Sequence, residues 1–333
     1  MRATEATSRT STGKFSPAAG VLSRKTKRMY RRRALFNLLK MGHCAPAVMK
    51  TLLDLEDSRE EWLVRLTAGL PGGIGNTGQE CGGVTSPLIR FGLEHGLRTG
   101  PDGLPLVIHD WHDYERRFRQ RHHGLLCKEI LGDRRVPLPC IKVVCLAPEL
   151  YREAACEDGG EAIPGETRDA FVLLHSHLRA NDFHCAHAVL KHMAGTIHMS
   201  QELLDGTSGF IGGTAFSGLT CSAFSAGLMA AGLKRGEIED SYPRVMRMLA
   251  IMSAGGNALA DRLNRFNRLV NIGQRMAEWF REEFGSTLCR EIVQCDFSSI
   301  KDVRRYIEKG SVATCKVIAE KVAKQAEVII RLK

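Results

Sequence analysis

Residues 68–81 read Ala68-Gly69-Leu70-Pro71-Gly72-Gly73-Ile74-Gly75-Asn76-Thr77-Gly78-Gln79-Glu80-Cys81. Residues 208–221 read Ser208-Gly209-Phe210-Ile211-Gly212-Gly213-Thr214-Ala215-Phe216-Ser217-Gly218-Leu219-Thr220-Cys221. Laid over one another without a gap, Gly69 falls on Gly209, Gly72 on Gly212, Gly73 on Gly213 and Gly78 on Gly218. The register continues into the next segment, where Phe91-Gly92-Leu93-Glu94-His95-Gly96 faces Ala231-Gly232-Leu233-Lys234-Arg235-Gly236. Glycine at fixed offsets marks backbone that needs a positive φ or close approach to another group. Each loop delivers a cysteine to the start of a helix, where free N–H groups and the positive dipole end favour a thiolate. The chain reads as a tandem duplication centred on sulfur.

The other segments repeat in the same order. Phe171 to Leu178 matches the segment around Leu35, and Asp182–Val189 matches Met41–Val48 with one gap. Phe280 and Leu288-Cys289-Arg290-Glu291-Ile292 answer Phe118 and Leu126-Cys127-Lys128-Glu129-Ile130. Apolar residues recur at helical spacing and strand-like alternation is scarce, which predicts an all-α fold of two tandem helical-bundle repeats packed pseudo-symmetrically. The expected boundaries are a disordered tail over 1–22, a first repeat over 23–156, an acidic glycine-rich linker over 157–167 and a second repeat over 168–333. A helical insertion is expected at about 237–272. Locally, Ser58-Arg59-Glu60-Glu61 has a capping-box pattern, 97–108 reads as a loop, and a charged helix is expected from about His109 to Leu131 with Gly132 as its C-cap.

The 333 residues are 44% apolar, 25% charged and 6% aromatic, the balance of a soluble globular protein. No apolar run reaches the roughly 20 residues of a membrane span, so no membrane partner is expected. The net charge of +10 is concentrated in Arg24–Arg33; a solvated basic face is the commoner meaning of such a run, and nucleic acid is not expected. The first 23 residues lack the apolar core of a signal peptide, which points to a cytoplasmic protein. In a reducing setting, 11 cysteines favour metal or reactive thiols over structural disulfides.

Four cysteines stand at equivalent stations in each repeat: Cys44, Cys81, Cys127 and Cys140, then Cys185, Cys221, Cys289 and Cys315. Cys145 competes with Cys140 for the fourth station, and Cys156 and Cys295 have no counterpart. The order is a Cys-Ala on a helix, a glycine loop, a cysteine at a helix start, a Cys-Lys/Arg-Glu-Ile helix and a final helical cysteine. It resembles the C_GCAxxG_C_C family of redox-active proteins, present here twice over most of 30–150 and 170–330. The resemblance implies redox chemistry at those eight cysteines. His43 and His184 stand where the family usually has Asn. Cys81-Gly82-Gly83-Val84-Thr85-Ser86 and Cys221-Ser222-Ala223-Phe224-Ser225-Ala226 both lack the family's closing glycine.

The first functional expectation is an iron–sulfur cluster in each repeat, for instance [2Fe–2S], serving electron transfer to a redox partner protein. Four thiolates suffice for such a centre. The N–H groups of the Gly72, Gly73 and Gly78 loop, and of Gly212, Gly213 and Gly218, would face the cofactor. Zinc would need the same four ligands. His43 or His184 could replace one cysteine, although a plain helix-start role is the preferred reading. The alternative is thiol–disulfide chemistry without metal, with Cys81 or Cys221 attacking and Cys44 or Cys185 resolving. A third reading is a non-catalytic, partner-binding scaffold with buried cysteines; a homo-oligomer is compatible with all three. The glycine loops lack the Gly-Lys-Ser/Thr ending of a nucleotide-binding loop. Glu129 and Glu291 read as solvated helix-face carboxylates, and His122-His123 as surface.

Overall fold

A computed structural model describes residues 22–96, 103–132, 138–156, 163–237, 242–261 and 263–331. The first repeat comprises α1 (Arg24–Met41), α2 (Cys44–Leu55), α3 (Glu61–Leu66), α4 (Gly82–His95), α5 (Gly103–His122), α6 (Cys127–Leu131) and α7 (Leu138–Cys156). The second comprises α8 (Gly165–Ala180), α9 (Cys185–His192), α10 (Gln201–Thr207), α11 (Ser222–Arg235), α12 (Tyr242–Ser253), α13 (Asn267–Phe284), α14 (Cys289–Val293), α15 (Ile300–Glu308) and α16 (Ser311–Arg331). Among the described residues there is no strand, and two isolated bridges, Glu80 with Leu126 and Thr220 with Leu288, are the extended pairing present. The fold is all-α.

The local chemistry explains many of the ends. Ser23 Oγ accepts from Thr26 N to open α1, and Gly42, at φ 72°, closes it. Glu129 accepts the N–H groups of Leu125 and Leu126, so this carboxylate caps its own helix. The expected capping box at Ser58 does not form, because α3 starts only at Glu61 and Ser58 Oγ donates to Glu60 instead. The charged helix starts at Gly103, earlier than expected, and ends at His122; the turn at Gly124 separates it from α6. His122 is buried against Phe118, not on the surface as expected, while His123 is exposed. Residues 1–21 of the expected tail over 1–22, and 157–162 of the expected linker over 157–167, lie outside the described residues, while 165–167 of that linker form the first turn of α8.

The repeats meet through reciprocal contacts. Helix α3 packs on α11, and its counterpart α10 packs on α4. A Cβ at Gly69 would stand 2.9 Å from the Leu228 carbonyl, and one at Gly209 would collide with Leu88. Gly92 lies against the backbone of Asp205, as Gly232 does against that of Arg65. All these pairs are related by the same offset in sequence, so the duplication is also a pseudo-twofold. Several of the matched glycines therefore serve close approach between repeats. The apolar residues of both repeats form one continuous core.

Two segments break the symmetry. Over the span of the expected insertion lie α12, a short 3-10 turn at Ala258–Ala260 and the start of α13. A second one, α15, was not anticipated. Its signal was the Cys289-to-Cys315 interval, which is twice the Cys127-to-Cys140 interval.

Candidate functional site: a thiol pair beneath a lid

The site is built by the glycine loop. Gly72, Gly73, Ile74, Gly75 and Asn76 all have positive φ, as do Gly212, Gly213, Thr214, Ala215 and Phe216 in the second repeat. This is a left-handed turn, costing about 1–2 kcal/mol for each non-glycine residue in it. Backbone bonds hold it: Gly75 N to Gly69 O at 2.9 Å and Gly78 N to Gly72 O at 2.9 Å, matched by Ala215 N to Gly209 O at 2.8 Å and Gly218 N to Gly212 O at 3.0 Å. The turn aims the Gly72 N–H at the Cys44 sulfur and the Gly212 N–H at the Cys185 sulfur. Gly72, Gly73, Gly78, Gly212, Gly213 and Gly218, expected to face a cofactor, are thus occupied in shaping a loop whose N–H points at a thiol.

The chain leaving each loop is tied to the third cysteine station. Cys127 N donates to Gln79 O at 2.6 Å and Cys81 N to Leu125 O at 3.0 Å; Cys289 N and Cys221 N make the equivalent bonds to Leu219 O and Thr287 O. Between them lies Glu80, fully buried on the pseudo-twofold. It accepts from Thr214 Oγ1 at 2.7 Å, from Thr220 N at 3.1 Å and from the Thr220 hydroxyl. Thr220 is the counterpart of Glu80 itself. Burial raises the Glu80 carboxyl above its ordinary range, against the pull of those donors.

Cys44 differs from every other thiol described. The Cys81 thiol beside it and the backbone N–H groups of Gly72, Gly82 and Ala45 around its sulfur favour the thiolate, so its pKa falls to about 7 despite burial. Cys81 gives the reciprocal response: holding its proton against Cys44, and buried, it is pushed well above the usual thiol range. Burial raises Cys127 and Cys140 to about 12, reinforced by the nearby Cys44 charge. Cys145, raised by burial beside Arg31, is not among the residues lining the chamber described next, whereas Cys140 is.

Above Cys44 and Cys81 lies a chamber of about 780 Å³. Leu35, Leu38 and Leu39 of α1 form one wall, and the glycine loop forms another. The roof is the second repeat's insertion, which contributes Val245, Met248, Leu249 and Met252 of α12. The roof is latched. His43, the residue before Cys44, places Nε2 2.9 Å from Asn267 Oδ1, while Asn267 Nδ2 donates to Ala258 O and Asp261 O. Arg244 donates to the carbonyls of Lys40 and Met41 and lies over the Phe266 ring. Burial lowers the His43 pKa to about 4, so the ring is neutral; with Asn267 Nδ2 donating to two carbonyls its Oδ1 faces the ring, so Nε2–H is the donor and Nδ1 stands unprotonated 3.2 Å from Met41 O.

The equivalent space in the second repeat is filled. Cys185, Cys221, Cys289 and Cys315 line a void of only about 20 Å³, space for about one water. Tyr306, carried by α15, places its hydroxyl 3.5 Å from Cys315 Sγ. Burial pushes Cys221 to about 12 and raises Cys185, Cys289 and Cys315 as well. One residue explains much of the contrast at the thiols. A Cβ at Gly82 would stand 2.5 Å from Ala45 N and 2.7 Å from Cys44 Sγ. The second repeat has Ser222 there, and its hydroxyl instead accepts from Gly213 N at 3.2 Å. His184, the counterpart of His43, bonds Ser208 O at 2.8 Å and stacks on His187.

The geometry overturns the expectation of a metal centre. Among the described residues, no group of three or more His, Cys, Asp and Glu side chains could hold a metal ion. The first-repeat cysteines border one chamber without converging on a common point: Cys81 is the neighbour that acts most on Cys44, while Cys127 senses Cys44 and Cys140 only through charge. The readings of Cys44, Cys81, Cys127 and Cys140, and of Cys185, Cys221, Cys289 and Cys315, as four-ligand clusters for iron–sulfur or zinc are corrected accordingly, and electron transfer through a cluster goes with them. The described cysteines other than Cys156, whose side chain lies outside the description, are free thiols. Among the described residues no helix is long and apolar enough to cross a membrane.

A family model described as "Putative redox-active protein (C_GCAxxG_C_C)" matches residues 42–154 and again 183–329. The chain belongs to this family and carries its module twice. No curated protein and no solved structure matches it.

Proposed function

We propose that the first repeat of this C_GCAxxG_C_C family member is a metal-free thiol–disulfide exchange site, and that the second repeat is its scaffold. The observation that carries the reading is the Cys44–Cys81 thiol pair at the floor of an open chamber, where the surroundings of Cys44 favour its thiolate near neutral pH. Thiolate is the attacking species in exchange, and a thiol whose pKa lies near ambient pH attacks best. Cys44 is then the nucleophile and Cys81, which keeps its proton, resolves. These roles are the reverse of those suggested by helix position alone. The scaffold role of the second repeat is supported by its filled void and raised thiols.

The test is to trap the intermediate. With oxidised dithiothreitol, Cys81→Ser should accumulate a mixed disulfide at Cys44, located by mass spectrometry, and Cys44→Ser should accumulate none. Equal labelling of Cys44 and Cys185 would sink the assignment.

A further inference from the structure

The lid above the thiol pair brings in a question of substrate. The chamber's upper half is hydrocarbon and thioether: Leu35 and Leu39 from α1 face Val245, Met248, Leu249 and Met252 from α12. Met side chains adapt to irregular apolar shapes. Among the described residues, Lys128 is the single charged side chain on the chamber wall, and no carboxylate lines it. The volume of about 780 Å³ falls within the usual range for small-molecule sites. The roof comes from the other repeat and is fastened at His43 and Arg244, so a folded protein partner would have to displace it to reach Cys44.

We propose that the chamber selects small, uncharged organic disulfides with apolar arms, and discriminates against anionic disulfides. The inference rests on the exchange reading above. Carboxylates brought into this chamber would lose their water and find one ammonium, whereas hydrocarbon arms would be buried against hydrocarbon.

The chemistry balances on the two cysteines. The Cys44 thiolate attacks one sulfur of R–S–S–R; a Cys44–S–S–R bond forms, the substrate S–S bond breaks and RS⁻ leaves. Cys81 gives up its proton to that leaving thiolate, then attacks the Cys44 sulfur. The Cys44–Cys81 disulfide forms and the second RS⁻ departs. Two electrons pass from the protein dithiol to the substrate, and the products are RSH and RS⁻.

The test uses the full chain and two aromatic disulfide probes, uncharged dithiodipyridine and dianionic dithiobis-nitrobenzoate. Each rate of Cys44 oxidation is divided by the probe's rate with the uncharged thiol 2-mercaptoethanol, which removes intrinsic reactivity. The expected result is a preference for the uncharged probe of about tenfold or more. Leu249→Lys, in the roof, should abolish that preference. Met246→Lys, on the same helix but 63% exposed and off the chamber wall, should retain it. A normalised ratio near one, with Cys44 still titrating near 7 and still forming a disulfide with Cys81, overturns the selectivity and leaves the exchange reading standing. Cys44 failing to react with either probe overturns both.

Discussion

His43 Nε2 donates to Asn267 Oδ1 across 2.9 Å, a bond spanning 224 positions of sequence between the residue preceding the thiolate and the second repeat's insertion. It makes the roof over Cys44 part of the same hydrogen-bonded structure as the start of α2. His43→Ala leaves the buried Asn267 oxygen without this donor, at a cost of about 1–3 kcal/mol. Hydrogen exchange should show faster opening in 242–261 and unchanged protection in α16. Unchanged exchange in 242–261 would mean that Arg244 alone holds the roof.

Gly82→Ser converts the first repeat's site toward the second's. The added Cβ has to push against Ala45 N and Cys44 Sγ, which weakens the N–H contacts on the sulfur. A hydrogen bond to a charged group contributes roughly 1.5–3 kcal/mol, so the Cys44 pKa should rise by about one unit or more. Alkylation of Cys44 as a function of pH reads it directly. A midpoint that stays near 7 would place the whole effect in Cys81.

Glu80 ties the two loops at the pseudo-twofold, and its loss should be felt globally. Glu80→Ala orphans the hydroxyls of Thr214 and Thr220 and the Thr220 N–H, with an expected loss of about 3 kcal/mol in denaturant unfolding. Glu80→Gln separates charge from shape. Because burial raises the folded-state pKa of Glu80, its contribution is fully present below the ordinary carboxyl pKa and is lost as pH rises through the raised value. Between pH 5 and 8, Glu80→Gln should therefore gain stability relative to wild type. A constant difference across that range would contradict a raised carboxyl.

Purified without oxygen and assayed for iron, acid-labile sulfide and zinc, the protein should carry well under one metal per chain. The eight station cysteines should all count as free thiols after reduction. Stoichiometric metal that disappears in Cys127→Ser would restore a cluster.

The duplication, the helical class and the eight cysteine stations were legible because each is a pattern in sequence: glycine offsets, apolar spacing, and aligned Cys-Lys/Arg-Glu-Ile runs. The left-handed turns were legible only as a need for glycine, since Ile74, Asn76, Thr214, Ala215 and Phe216 share them against local preference. The identity of the active sulfur was not legible. A helix-start position favours Cys81, but two neighbouring thiols do not both ionise readily, and three backbone N–H groups favour the charge on Cys44. Nor did the sequence show that an insertion in one repeat roofs the other, because Met248 and Gly42 meet only after the pseudo-twofold has formed. The fate of the second site turned on the length between Cys289 and Cys315, a signal present in the sequence whose meaning appears once Tyr306 lies on Cys315.

Site-resolved alkylation from pH 5 to pH 10, quantified for each cysteine-bearing peptide, tests the central claim most directly. Labelling requires thiolate, so Cys44 should rise through a midpoint near 7, while Cys185 and Cys221 should remain unlabelled up to at least pH 9, their pKa values being raised by burial. In Cys81→Ala the Cys44 midpoint should move upward, since its largest stabilising contact is gone. Parallel titration of Cys44 and Cys185 above pH 8, indifferent to Cys81, would contradict the account.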